Sequence, residues 1–123
     1  MEVLIVDDSA SLRMSVSLIL KMAGHSPKEA NSAEDALAQL TAGRVKPGLL
    51  LVDLNMTGIN GIEFIRRVRA QAAFRFVPIL MLTTESQQER RVEAKSAGAT
   101  GWLVKPVAPN DLLGVIKQVC HSS

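Results

Sequence analysis

A chain of 123 residues, 47% of them apolar and with a single cysteine, suits one domain that buries its own core without disulfide staples. Its apolar residues come in short runs, none near the roughly 18 that a membrane span requires, and no basic region or cleavage site at the start marks it for export. A formal net charge of +2 is too small to argue for nucleic acid by itself.

In chain order, Val3 to Val6 reads as a first strand that runs into Asp7-Asp8. Ser9 or Ser11 can cap the helix behind it, with Leu12, Val16, Ile19, Leu20 and Ala23 at helical spacing and Gly24 as a stop. Ser26 to Ala30 is a poor strand containing Pro27, which points to a sheet edge. Ser32, with Asp35 three residues on, opens a second helix buried through Ala33, Ala36, Leu37 and Leu40. After a loop from Gly43 to Gly48, Leu49 to Val52 is a continuous apolar run ending on Asp53, the pattern of a strand buried on both faces of a parallel sheet.

Asn60-Gly61-Ile62-Glu63 opens a third helix with Ile62, Ile65 and Val68 inward, and Phe64 and Phe74 are expected in the core or half-buried. Val77 to Leu82 is the fourth strand, ending on Thr83-Thr84. Ser86-Gln87-Gln88-Glu89 is a capping box for a fourth helix that offers only Val92, Ala94 and Ala97 to the core, so this helix is expected to be weakly anchored. Thr100 to Val104 makes a fifth strand leading into Lys105-Pro106, and Pro109 starts a last helix with Leu112, Val115, Ile116 and Val119 inward.

Alternating strands and helices at short spacing imply a doubly wound α/β fold: five parallel strands in the flavodoxin-like order 2-1-3-4-5, with helices on both faces. No linker to a second domain is apparent, so the expectation is one domain over residues 1–123. His25 and His121 read as surface residues. The basic runs Arg66-Arg67-Val68-Arg69 and Arg90-Arg91 read as solvated helix faces, with a docking surface for an acidic partner as the other reading.

The strand ends carry the chemistry. Asp7, Asp8, Asp53, Thr83 and Lys105 all leave one edge of the predicted sheet, and neighbouring strands lie only about 4.8 Å apart. Taken singly, each has a structural explanation: a helix cap, a turn brace, a surface lysine. Together they are the inventory for holding a hard divalent cation and a phosphoryl group. Three clustered carboxylates repel unless a cation sits among them, and oxygen-only ligands select Mg²⁺ or a similar ion over Zn²⁺.

With Val6-Asp7-Asp8-Ser9, Val52-Asp53-Leu54-Asn55-Met56, Thr83-Thr84-Glu85, Ala97-Gly98-Ala99 and Gly101-Trp102-Leu103-Val104-Lys105-Pro106, the whole chain resembles the receiver domain of bacterial response regulators, most closely the single-domain chemotaxis type. The resemblance implies that Asp53 accepts a phosphoryl group from a phosphohistidine on a sensor histidine kinase. It implies Mg²⁺ (or Mn²⁺) bound by Asp8, Asp53 and the backbone carbonyl of Asn55, with Asp7 acting through water. Thr83 and Lys105 would bind the aspartyl phosphate, a cis peptide would precede Pro106, and Asn55 and Glu85 would tune self-dephosphorylation. Family members commonly have proline where this chain has Thr57, and tyrosine or phenylalanine at the switch position held here by Trp102.

The function implied is a cytoplasmic, phosphorylation-activated signalling switch rather than an enzyme. Its fourth helix, fifth strand and fifth helix would form the face that meets a partner such as the flagellar motor switch, with a phosphatase as a possible second partner. A monomer that touches neither nucleic acid nor membrane is expected. The alternatives are a phosphorelay shuttle or phosphate sink, a receiver trimmed from a multidomain regulator, and, as an enzyme, a phosphohydrolase using Asp53 or Asp7 as nucleophile.

Overall fold

Five segments pair as parallel strands: β1 (Glu2–Val6), β2 (Ser26–Ala30), β3 (Leu49–Asp53), β4 (Ile79–Thr83) and β5 (Gly101–Val104), in the order β2-β1-β3-β4-β5. Between and after them come α1 (Ala10–Met22), α2 (Ala33–Thr41), α3 (Gly61–Arg69), α4 (Arg91–Ala97) and α5 (Pro109–Val119). This computed structural model describes residues 1–56, 58–84 and 90–120. Thr57, Glu85, the expected capping box from Ser86 to Glu89, and His121 lie outside the described residues. Among the described residues no helix is long and apolar enough to cross a membrane.

Period-two alternation sorts the core into two layers. Leu4, Val6, Leu50, Val52, Ile79 and Met81 face α2, α3 and α4, where Phe64, Ile65 and Val68 fill the layer. Val3, Ile5, Leu49, Leu51, Leu80 and Leu82 face α1 and α5, meeting Val16, Leu20, Leu112 and Ile116. Both layers bury every residue of β3 and β4, so the two central strands hold Asp53 and Thr83 in fixed places at their ends. Pro27 sits in the edge strand β2, where a missing N–H is tolerated.

Side-chain caps start three helices. Ser9 Oγ accepts from Leu12 N at 3.3 Å, Ser32 Oγ from Asp35 N at 3.0 Å and Asn60 Oδ1 from Glu63 N at 3.0 Å. Of the two serines proposed for the first helix, Ser9 is the cap.

Several expectations need correction. Strand β4 starts at Ile79 rather than Val77, and β5 at Gly101 rather than Thr100. Ala23 is exposed because the helix has already ended at Met22. Val92 is 76% exposed, leaving Ala94 as the buried residue of α4. Arg69, read as part of a solvated run, is half-buried: its guanidinium donates to the Gly98 carbonyl at 3.0 and 2.7 Å, to Phe74 O at 2.9 Å, to Arg75 O at 3.2 Å and to Val77 O at 2.6 Å. A fork of five N–H groups suits this task, and it ties the last turn of α4 to α3 and to the start of β4.

Helix α4 is therefore held at its last turn by Arg69 through the Gly98 carbonyl, and Ala94, at its middle, is its buried residue. Removing the fork orphans carbonyls that are partly shielded from water, each costing about 1–3 kcal/mol. Arg69→Met is expected to lower unfolding stability by about 2–4 kcal/mol in a urea titration, and Arg69→Lys to recover only part of that, because an ammonium cannot reach all four carbonyl groups at once.

Candidate phosphoacceptor site

Four β-strands deliver the site. Asp7 follows β1 and is fully buried, Asp53 ends β3 at 4% exposure, Thr83 ends β4 at 2%, and Lys105 follows β5. Asp8 is exposed beside Asp7. One carboxylate oxygen from each of Asp7, Asp8 and Asp53 lies within 4.8 Å of the others. Strand polarity explains the convergence: parallel strands place all their exits on one edge, where open α/β sheets form their crevices.

Lys105 is the only cation among these five residues. Its Nζ lies 3.1 Å from Asp7 Oδ2 and 3.1 Å from Asp53 Oδ1, so one ammonium bridges two buried carboxylates. The contact to Asp7 is an ion pair whose angles fall outside hydrogen-bond geometry, and Asp7 Oδ2 has no other partner among the described residues. Backbone donors hold the remaining oxygens: Ser9 N donates to Asp7 Oδ1 at 2.8 Å and Asn55 N to Asp53 Oδ1 at 3.2 Å. Arg13 steadies the same loop, donating to the Asp7 carbonyl at 2.6 Å while pairing with Glu29 at 3.0 Å. Sequence reasoning passed over Arg13, which looked like one more exposed helix position.

Burial, and next the charge of Asp7, push the Asp53 carboxyl above its ordinary value of 3.8, against the opposing pull of Lys105 and the Asn55 amide. Burial also works against the charge on Lys105, but its close contacts with the Asp7 and Asp53 carboxylates outweigh it, and its pKa is raised. Two carboxylates and one ammonium leave the buried pair short of positive charge. An orphaned buried oxygen on Asp7 beside an exposed Asp8, in a set made only of oxygen donors, fits a hard divalent cation such as Mg²⁺.

Thr83 is close by, on the strand beside Asp53, and its hydroxyl donates to the Leu103 carbonyl across β5 at 3.4 Å. That is the long end of the hydrogen-bond range. The Lys105-Pro106 peptide is cis, as expected. Trp102 is half-buried on β5 with the Arg91 guanidinium 4.7 Å above its ring, so Arg91, read as solvated, is instead stacked. The Asn55 side chain is exposed near the acids, and Glu85 lies outside the described residues.

A carboxyl with a raised folded-state pKa destabilises the fold once ionised. The cost is absent below about 3.8 and grows as pH rises through the raised value. Metal-free Asp53→Asn is therefore expected to melt at a higher temperature than the parent chain at pH 7. The difference should close on acidification below about pH 4. A calorimetric melt at each pH, with chelator present, checks both halves.

Residues 3–117 match the family described as "Response regulator receiver domain". Among solved structures, the chemotaxis protein CheY4 of Vibrio cholerae is 44% identical, with a TM-score of 0.88 over 96% of this chain and 97% of that one. A receiver domain of sensor histidine kinase PA1611 from Pseudomonas aeruginosa PAO1, described with a magnesium ion coordinated in its active site cleft, is 26% identical, with a TM-score of 0.85 over 98% of each chain. The phosphate regulon transcriptional regulatory protein PhoB of Escherichia coli K12 is 34% identical over 117 residues, covering 95% of this chain and 50% of PhoB. The chain thus spans about half the length of the curated relatives it matches. Five parallel strands in this order, acids and a lysine gathered at their exits, and a family match over nearly the whole chain lead to one conclusion: the chain belongs to the response regulator receiver domains, the CheY-like modules of phosphorylation-based two-component signalling.

Proposed function

We propose that residues 1–123 form one receiver domain that takes a phosphoryl group onto Asp53 from a phosphohistidine on a sensor histidine kinase, in the cytoplasm and with Mg²⁺. The observation that carries this reading is the Lys105 ammonium bridging Asp7 and Asp53, with the Asp8 carboxylate alongside. An Asp53 oxygen attacks phosphorus, the P–N bond breaks, and the imidazole of the kinase leaves. Burial raises the proton affinity of Asp53 and so its nucleophilicity, while Lys105 keeps it ionised and binds a phosphoryl oxygen in the product.

Asp8, Asp53 and the Asn55 carbonyl would hold the metal, and Asp7 would reach it through water. When bound, the metal neutralises charge on the transferring phosphoryl group. Thr83 leaves its long bond to the Leu103 carbonyl and donates to the phosphate, a move whose cost is small because the bond it gives up is weak. Space opens beside Trp102, on which Arg91 of α4 is stacked, and so biases that helix. The face of α4, β5 and α5 then meets a partner differently in the two states. Asn55 and Glu85, near the phosphate, set its lifetime.

The match to CheY4 across 97% of that chain favours a chemotaxis-type output such as the flagellar motor switch. A second reading comes from PhoB, of which the chain covers only half: the receiver of a regulator with a further output domain.

Trp102 is the sole tryptophan, so its fluorescence reports from beside the proposed switch. Acetyl phosphate should change that signal only with Mg²⁺ present and add one phosphoryl group by intact mass. Asp53→Asn should abolish both effects. Lys105→Met should slow phosphorylation by about tenfold or more, given the charge-assisted contact it removes. An unphosphorylated parent chain after prolonged exposure to donor and Mg²⁺ would overturn the reading.

A further inference from the structure

Residues 36–52 and 64–84 contain no aspartate or glutamate, yet they carry Arg44, Lys46, Arg66, Arg67, Arg69 and Arg75. Arg66 and Arg67 turn back to Glu63 at 3.7 and 3.2 Å, and Arg69 is occupied by backbone carbonyls. Arg44, Lys46 and Arg75 are different: all three are exposed, and none joins an ion pair among the described residues. The fold brings the two stretches together where β3 and β4 begin. Leu40, Val45, Lys46, Pro47, Ala73 and Phe74 line a cleft there of about 380 Å³. Beside it in the chain, Phe76 is 88% exposed, more than any other large apolar side chain among the described residues.

We propose that this end of the domain is a second docking surface, for an acidic segment of a partner protein that places an apolar side chain in the cleft and its flanking carboxylates on Arg44, Lys46 and Arg75. Charge complementarity selects the occupant: neither stretch carries a carboxylate to repel a carboxylate-rich strand, and the acid at the same end of the sheet is Glu2, which opens the neighbouring strand β1. Nucleic acid is a poorer fit, because one exposed aromatic is no stacking platform. A bilayer is poorer too: the apolar surface is a concave cleft rather than the protruding face of an amphipathic helix.

The surface lies at the opposite end of the sheet from the acids. Four residues separate Leu49 from Asp53 and Ile79 from Thr83, which at about 3.3 Å each is on the order of 13 Å. A partner held here leaves the phosphoacceptor open to its kinase and stays bound in both states. The proposal goes beyond the phosphorylation reading and does not depend on it.

The test titrates the ¹⁵N-labelled full chain with an acetylated hexapeptide made of a Leu-Phe pair flanked by two glutamates on each side. Phosphatidylglycerol vesicles and a 20-nucleotide single strand of DNA serve as parallel arms. The expected result is saturable amide shifts confined to residues 40–47 and 73–77, weakened by salt. Lys46→Glu with Arg75→Glu should reduce affinity at least tenfold with an unchanged circular dichroism spectrum. Arg75→Gln, a milder change, should reduce it less, and Phe76→Ser should weaken binding without removing its salt dependence. Absence of saturable shifts up to millimolar peptide, shifts elsewhere, tighter binding to vesicles or DNA, or affinity unmoved by charge reversal would each overturn the proposal.

Discussion

One ammonium shared by two buried carboxylates is the constraint around which this domain is arranged. Asp7 and Asp53 end neighbouring strands, and no fold could hold two such charges out of water and side by side without an opposite charge between them. Lys105 supplies it from the end of β5, a strand that pairs with β4 rather than with either acid-bearing strand. The crossover order of the sheet is thus what lets the lysine reach across. The compensation is also incomplete: burial, and next the charge of Asp7, still raise the Asp53 carboxyl above its ordinary value, and the oxygen-only cluster fits a further hard cation.

A site built this way rests on rigid walls. The walls are β3 and β4, buried at every position, with the loop after β1 steadied by Arg13. Helix α4 is held differently, with Ala94 buried, Val92 in solvent and Arg69 gripping its last turn through the Gly98 carbonyl. Arg91 stacked on Trp102 links this helix to the strand whose carbonyl holds Thr83.

The two proposed interaction surfaces fall at opposite ends of the parallel sheet. Exits gather acids and the lysine, while the entrances of β3 and β4 gather bases without acids and an exposed phenylalanine. Such polarity is a consequence of parallel topology, which keeps strand starts and strand ends on different faces of the molecule. One end can therefore change charge during signalling while the other holds its charge constant.

The apolar runs, their acidic or basic endings and the capping serines were enough to specify the architecture, because buried parallel strands must be continuous in sequence and must deliver the residues at their ends to one edge of the sheet. Strand order and the grouping of Asp7, Asp8, Asp53, Thr83 and Lys105 were legible for that reason. The fate of the arginines was not legible and came from packing alone. Arg13, Arg69 and Arg91 look alike in sequence, as charges on helix faces, yet one holds the Asp7 carbonyl, one holds four backbone carbonyl groups and one lies over an indole. Val92 fell on a predicted core stripe and is exposed, because a short helix buries only what its neighbours cover. Periodicity reads which residues leave water; the partners of long polar side chains depend on which backbone ends arrive beside them, and that is set by how the elements pack.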